Sequence, residues 1–410
     1  MEKILFLVGI LFLIVAIKIL KQDFLSPAVI NIYWNILFFI GAVVIFDNGI
    51  EWSYLGLWWG IASCFLFLIG QTVGGKIKVS NKSQNPIQWK RYIGAGLVVI
   101  IFLGICNSVL YLRAYGYSIK ALFDIRSLIS LNAAIAYDRY YSHEVSLPAI
   151  SSIFSVAIYL GSLIGGYCFQ FKSDKKVKAI TIATLIPILL LAIITNGKVG
   201  VIASAFLWFI GWILYSLRNS DGKIIDKKII GKIFFIGILG IAFLDLTMLL
   251  RIGSIDRETQ LIVNGKLQEY AFGQVEAFSY WLTHRETKTL GVGSNTYMFL
   301  TNWLGLTVRK QGVYDLIPGI ASNIFTQNRG IVMDYGVLGG LVYWMILGFF
   351  SGILYKKIRK KSSSVLVSTF LGAIYFQVLY GFIISPWIYS SYALVFVGFA
   401  MFLWCIKKVR

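Results

Sequence analysis

Residues 172–195 read KSDKKVKAITIATLIPILLLAIIT, a basic cluster followed by an unbroken apolar run from Ala179 to Thr195. A bilayer-crossing helix needs roughly 20 mostly apolar residues, so this run and the one that follows it at 200–217 read as two spans joined by a short turn. The same pattern repeats outward in both directions. Apolar runs lie near 4–20, 28–46, 54–74, 92–112, 148–170, 179–195, 200–217, 233–250, 330–355, 365–384 and 390–406. They predict an all-α fold, a polytopic transmembrane helix bundle of about eleven spans in a single integral membrane domain over residues 1–410.

Composition points the same way. Of the 410 residues, 58% are hydrophobic and only 14% charged, whereas soluble domains carry about a quarter of their residues as charges. The run from Ile4 to Leu20 ends on Lys18 and Lys21 without a small-residue cleavage pattern, so a retained helix is expected there. Cys64, Cys106, Cys168 and Cys405 all fall inside apolar runs, which suggests neither a disulfide framework nor a thiolate metal site.

The formal charge of +20 has a location. Six clusters, Lys18/Lys21, Lys76 to Arg91, Lys172 to Lys178, Arg218 to Lys232, Lys356 to Lys361 and Lys407 to Arg410, hold 24 of the 38 Lys and Arg. Only Asp23, Asp174, Asp221 and Asp226 accompany them, so these clusters carry the whole net charge and the rest of the chain is neutral. They occupy alternate loops. Excess Lys and Arg marks the cytoplasmic side, so the charge assigns orientation and membrane lipids as neighbours, with no nucleic acid partner implied. The N-terminus is then outside, and two long segments, 113–147 and 251–328, face the exterior as loops.

The cytoplasmic loops are short and hold no GxxxxGK[ST] phosphate loop; Asn196-Gly197-Lys198 is the nearest echo. No Asp-x-Asp pair exists in the chain, nor HExxH or GxSxG. No metal site and no cofactor are expected. Chemistry on an exterior substrate would instead use a pre-activated lipid-linked donor, whose diphosphate leaving group must be neutralised by fixed cations. Eight arginines stand on the exterior side, among them Arg126, Arg251, Arg257 and Arg329. Their planar fork suits bidentate capture of phosphate or carboxylate, although an equal number of exterior acids offers structural pairing.

Between Glu269 and His284 a helical projection puts Ala271, Phe272, Val275, Phe278 and Leu282 on one arc and Glu269, Gly273, Glu276, Tyr280 and His284 on the other. Two readings stay open: an interfacial helix with a solvated polar face, or Glu276, Tyr280 and His284 facing a substrate cavity. Asp245, inside the run 233–250, is either a functional carboxylate or a packing partner for a neighbouring helix.

The stretch Ser322-Asn323-Ile324-Phe325-Thr326-Gln327-Asn328-Arg329, continuing to Met333-Asp334-Tyr335-Gly336-Val337-Leu338-Gly339-Gly340, resembles the segment entering a late membrane helix in Wzy-type polymerases of O-antigen and capsule repeat units. Those proteins often show Asn-x-x-Thr, then Asp-Phe/Tyr-Gly and a further Gly here. The large loop before it, the Arg126 segment after the fourth span and the Thr195-to-Lys198 turn support the likeness, with Lys198 where the family often has Arg. Asp334 near a helix start also suits the dipole, and Gly336 to Gly340 forms a GxxxG face for close packing. The resemblance implies a metal-independent GT-C glycosyltransferase in the bacterial cytoplasmic (inner) membrane, active on its outer face. Its partners would be undecaprenyl-diphosphate-linked oligosaccharides and a chain-length regulator protein.

On that reading Arg251, Arg257 and Arg329 hold the donor diphosphate. Arg126 holds the acceptor carrier's phosphates, with Lys198 and Tyr280 also at the substrate. Glu276 or Asp334 takes the acceptor hydroxyl proton, and His284 is a further base candidate. An O-antigen ligase shares architecture and donor, and a lipid-linked oligosaccharide flippase or other transporter is the rival of a different class. The topology is directly testable. A cysteine at position 285 is expected to react with an impermeant thiol reagent in intact cells, and cysteines at 82, 176, 227 and 359 only after permeabilisation; labelling of 285 only after permeabilisation would overturn it.

Overall fold

A computed structural model describes residues 2–46, 53–79, 91–142, 144–171, 174–219, 240, 248, 256–285, 290–308, 314, 317, 324–361 and 364–408. In chain order its helices are α1 (Glu2–Ile19), α2 (Pro27–Val44), α3 (Leu55–Lys76), α4 (Arg91–Ala114), α5 (Ile125–Tyr137), α6 (Ile150–Cys168), α7 (Lys175–Ala183), α8 (Ile186–Thr195), α9 (Lys198–Asn219), α10 (Arg257–His284), α11 (Met298–Trp303), α12 (Thr326–Arg359), α13 (Val365–Tyr380) and α14 (Ser390–Lys408). Eight stretches are long and apolar enough to cross a membrane: α2, α3, α4, α6, α7 with α8, α9, α12 and α14. The protein is an all-α, multi-pass membrane protein.

These eight coincide with eight of the eleven expected spans. Of the other three, α1 is helical but carries Glu2, Lys3 and Lys18 within its 18 residues, and α13 is 16 residues long, ending at Gly381. The third, 233–250 with Asp245, lies outside the described residues except for positions 240 and 248. The segment 113–147 is more than a loop: Asp124 caps α5 by accepting from the backbone N–H groups of Arg126 and Ser127. The helix expected at 269–284 begins twelve residues earlier, at Arg257.

The chain packs as two compact units, the first built from Met1–Gln84 and Lys266–Ala393 and the second from Asn85–Gly265 and Leu394–Arg410. In the first, α1, α2, α3, α12 and α13 surround a core that includes Phe6, Leu13, Ile32, Phe67, Leu68 and Trp344. Its tightest contact is a glycine seam. A Cβ on Gly70 would overlap the Met345 carbonyl oxygen, and one on Gly74 the Phe349 carbonyl. From the other side, Gly348 lies against the Phe67 carbonyl and Gly352 against that of Gln71. Both pairs have GxxxG spacing, which puts the two glycines on one helix face and lets backbones touch. At one end of the seam Gln71 ties three elements together: its Oε1 accepts from Ala28 N–H at 2.7 Å and from Ser351 Oγ at 3.3 Å, and its Nε2 donates to Gln22 at 2.8 Å.

The second unit uses the same device between α6 and α9, where Gly166 abuts the Trp208 carbonyl and Gly211 that of Leu163. Asn107 of α4 joins α6 by accepting from Ser151 Oγ at 2.7 Å and donating to Ser155 Oγ at 3.2 Å. In the 113–147 segment, Asp138 accepts from the N–H groups of Glu144 (2.8 Å) and Val145 (3.1 Å), from Ser142 Oγ and from the Tyr115 hydroxyl. These bonds, the one from Val145 first, lower its carboxyl to about 2. The anchor therefore holds at every pH above the ordinary carboxylate range and is lost as pH falls through about 2.

The expected GxxxG face at Gly336 to Gly340 is corrected in part. Gly340 does pack closely, on the Trp59 ring, but Gly336 has φ 75° and ψ 177° and breaks α12 rather than packing it. The helix seam lies instead at Gly70/Gly74 and Gly348/Gly352. Alanine at Gly74 or Gly348 is expected to destabilise the protein in detergent by roughly 1–3 kcal/mol through overpacking. Alanine at Gly75, with nothing within 4 Å, is expected to be neutral or stabilising; equal melting temperatures for all three variants would refute the seam.

Candidate functional site

The site is organised by the break in α12. Its first turn is seated on the end of α13: Phe325 N–H donates to the Ile383 carbonyl (2.9 Å), Gln327 N–H to that of Gly381 (2.7 Å) and Gln327 Nε2 to that of Gln377 (3.1 Å). At Gly336, whose φ only glycine adopts without strain, the helix bends sharply, so that Ile331 Cγ2 comes within 3.2 Å of where a Cβ on Gly340 would lie. Nine residues of straight helix would separate them by about 13 Å along the axis. Carbonyls around the break take partners from outside the helix, as the low-dielectric interior requires. Gly291 N–H donates to Met333, Val292 N–H to Asp334 and Trp59 Nε1 to Val337.

Asp334, only 1% exposed, faces the loop after α10. Its carboxylate accepts from the N–H groups of Asn295 (3.0 and 3.1 Å) and Thr296 (2.6 Å) and from Asn295 Nδ2 (2.6 Å). Two backbone N–H groups and a side-chain amide thus occupy its lone pairs, a geometry that favours positioning of the 290–297 turn over proton abstraction.

Arg329 is also buried, and its guanidinium lies over three aromatic rings: Trp281 of α10 and Tyr314 at 5.2 Å each, and Phe325 at 5.6 Å. Such stacking suits the planar, weakly hydrated guanidinium. Glu276 is 1% exposed, which goes against the first of the two readings of this helix, a solvated polar face. Residues 273–279 are buried all round because α10 packs into the first unit: Phe272 lies against Gly41 of α2, and Ser279 Oγ accepts from Gly56 N–H at 2.9 Å at the start of α3. Tyr280 is half-buried and His284 exposed, its ring stacked on Tyr280 at 4.1 Å with Nδ1 2.9 Å from the Tyr280 carbonyl. The line Glu276, Tyr280, His284 therefore runs from interior to surface.

Between these elements lies a cleft of about 520 Å³, counted with its solvent-open part. It is lined by Asn31, Trp34, Asn35 and Phe39 of α2, Gly56 and Ser63 of α3, Gln274, Val275 and Phe278 of α10, Thr326, Gln327, Asn328 and Trp344 of α12, and Val378, Gly381 and Phe382. None of these residues is charged. The room for the centres of water molecules in it is about 20 Å³, enough to hold water. Among the described residues, Gln327 Oε1, Asn328 Oδ1 and Trp344 Nε1 are buried there without a hydrogen-bond partner, so they offer two acceptors and a donor to whatever enters. Sequence reasoning passed over this amide-rich wall, although Asn31 and Asn35, one helical turn apart within an apolar span, were a readable signal.

The structure thus places Glu276, Tyr280, His284, Arg329 and Asp334 in the first unit; none of them lines this cleft, and Glu276 and Arg329 directly follow the lining residues Val275 and Asn328 in sequence. Arg126, exposed in the first turn of α5, Lys198, half-buried at the start of α9 after Asn196 in the left-handed region, and Arg257, exposed at the start of α10, belong to the second. Arg251 lies outside the described residues. Among the described residues no group of three His, Cys, Asp or Glu gathers to hold a metal ion. Comparison with known proteins returns no match to any family model, curated protein or solved structure.

Removing the Asp334 carboxylate would leave two buried N–H groups without acceptors, at about 1–3 kcal/mol each. Asp334→Ala is expected to speed amide hydrogen exchange at Asn295 and Thr296 well above wild type, whereas Leu338→Ala, at an exposed site on the same helix, leaves it unchanged. Unchanged exchange in Asp334→Ala would remove the positioning role.

Proposed function

We propose that this protein polymerises lipid-diphosphate-linked oligosaccharide repeat units, of O-antigen or capsule type, on the outer face of the bacterial cytoplasmic membrane. The observation that carries the reading is the composition of one buried neighbourhood. A caged guanidinium (Arg329) and a buried carboxylate (Glu276) flank an uncharged cleft walled by amides and indoles, all within a membrane-embedded bundle. Neutral amides match sugar hydroxyls and the rings of Trp34 and Phe382 offer apolar faces to a sugar, whereas the diphosphate calls for the arginine.

In the proposed step an acceptor hydroxyl oxygen attacks the anomeric carbon of the donor glycan. The bond from that carbon to the diphosphate oxygen breaks, and its electron pair leaves with the undecaprenyl diphosphate. The hydroxyl proton goes to a carboxylate. Glu276 fits this base role better than Asp334, whose oxygens already serve four hydrogen bonds, and His284 is displaced toward the surface. Arg329 stabilises the charge that develops on the leaving diphosphate, and fixed charge is worth more in a dry site than in water. Arg126, Lys198, Arg251 and Arg257 stay as the sequence leaves them, candidates for substrate contact.

One observation favours a second reading, a transporter of lipid-linked oligosaccharides: a helix broken near a polar cleft is a device of transporters. Two measurements separate them, glycan synthesis in nanodiscs and substrate movement across sealed vesicles. Purified protein in nanodiscs, given only the lipid-diphosphate repeat unit with EDTA present, is expected to form a ladder of longer lipid-linked glycans. Arg329→Ala is expected to lower the rate on the order of a hundredfold, the effect of losing a donor to developing charge, with Arg329→Lys rescuing in part. Thermal melts of each variant separate lost chemistry from lost packing of the aromatic cage. A ladder that needs added Mg²⁺ or Mn²⁺, or an Arg329→Ala protein that is well folded and as fast as wild type, would overturn the mechanism; no ladder, with lipid-linked substrate crossing a sealed vesicle, would favour the transporter.

A further inference from the structure

The segment 290–308 carries an apolar tip that no role assigned so far uses. Beyond the 290–297 turn it forms α11 and then a tight reversal, and outward from it stand Trp303 at 80% exposure, Leu304 at 54%, Leu306 at 70% and Val308 fully exposed. Its polar side chains point the other way. Thr307 Oγ1 donates to Thr301 Oγ1 and Asn302 Oδ1, both at 2.9 Å. Leu306 N–H closes on the Thr301 carbonyl, with Gly305 at φ +69° making the reversal. A turn built to face water would show Thr and Asn outward and bury Trp and Leu; this one is inverted.

The base of the segment is fixed to the bundle. Asn295 and Thr296 are held by Asp334, the Thr296 carbonyl accepts from Ser385 Oγ at 2.7 Å just beyond the end of α13, and the Tyr297 hydroxyl meets that of Tyr343 at 2.9 Å. The tip is therefore tethered beside the end of α13. At the start of the segment Leu290 and Val292 are exposed, as is Leu338 of the spanning helix α12; Leu290 Cδ2 lies 3.7 Å from a Cβ placed on Gly336, and Val292 N–H bonds the Asp334 carbonyl. Exposed apolar side chains thus stand on both the spanning helix and this segment. In the sequence Arg309 and Lys310 follow Val308 directly, the cations that phosphate headgroups attract.

We propose that the 300–308 tip is an interfacial anchor inserted into the bilayer leaflet at this end of the bundle, with phospholipid as its partner. Trp and Leu side chains partition into the boundary between headgroups and acyl chains. Because the same segment is clamped by Asp334, the anchor fixes the height of the 290–297 turn, and of the cleft behind it, relative to the lipid surface. The anchor holds whether or not the polymerase reading does.

The test is depth measurement on the full chain. Spin labels are placed at Leu306→Cys, at Leu338→Cys as the lipid reference and at Gln268→Cys as the aqueous reference, in a Cys405→Ser background and in nanodiscs of phosphatidylcholine with phosphatidylglycerol. All three sites are exposed, so the labels do not disturb the core. The collision ratio of oxygen to a water-soluble nickel chelate at 306 is expected to exceed that at 268 several-fold and to approach that at 338. A ratio at 306 equal to that at 268 would place the tip in water. Low collision with both reagents at 306 would mean that protein, a second copy or another chain, covers it. Either result overturns the anchor.

Discussion

Backbone contact between α3 and α12 is the constraint on which the first unit depends. In a bilayer no hydrophobic gain favours helix pairing, because lipid tails are as apolar as leucine, so pairing relies on close packing and on weak contacts made only at short range. Gly70, Gly74, Gly348 and Gly352 remove the side chains that would hold the axes apart. Once that seam is closed, Gln71 is carried to where it can satisfy Ala28 N–H and Ser351, and Trp344 is carried against Phe67. With the rear half of α12 held rigid, its front half is free to depart from it.

That departure creates the site. A straight α12 would present Gln327 and Arg329 at the bundle's surface, whereas the bend at Gly336 lays the first segment against the end of α13 and under α10. Breaking a helix at this depth is costly unless each carbonyl near the break finds a donor. The 290–297 turn supplies N–H groups to the Met333 and Asp334 carbonyls, and the Asp334 side chain returns the bond by accepting from the same turn. The break and the turn stabilise each other, which explains why an aspartate, with two acceptor oxygens, stands two residues before the glycine.

Much of this was legible beforehand, in proportion to how local the signal is. Each span is written in its own residues as an apolar run, and the +20 partition needs only counting, so the helical bundle followed directly. Arg329 stands out among the exterior arginines and, with Asp334, in the stretch that carries the family resemblance, and Glu276 in the helical projection of 269–284. Their roles do not stand out, because roles depend on partners far away in sequence: Asp334 is decided by Asn295 and Thr296, and Arg329 by Trp281 and Tyr314. The GxxxG pairs at 70/74 and 348/352 are plain in the sequence. Nothing local says which pairs with which, and the eye goes instead to Gly336 and Gly340, one of which turns out to break the helix. The projection of α10 leaves a solvated face and a cavity-facing one open for a related reason: it assumes one buried side, and α10 between 273 and 279 is covered on all of them.

Burying Arg329 carries a penalty that the fold must offset, since a guanidinium taken from water loses several kcal/mol of hydration. Three aromatic faces, those of Trp281, Tyr314 and Phe325, recover part of it through cation–π contact. On the proposed reading, hydration already lost on folding need not be lost again when an anion arrives. The same reasoning accounts for the uncharged wall of the cleft. An aspartate in place of Asn31, Asn35 or Gln327 would oppose the potential of a buried cation in a low-dielectric interior, while amides leave it intact and still hydrogen-bond hydroxyls. On the proposed reading, charge recognition at Arg329 and hydroxyl recognition in the cleft are thereby separated, so that each is strong without weakening the other.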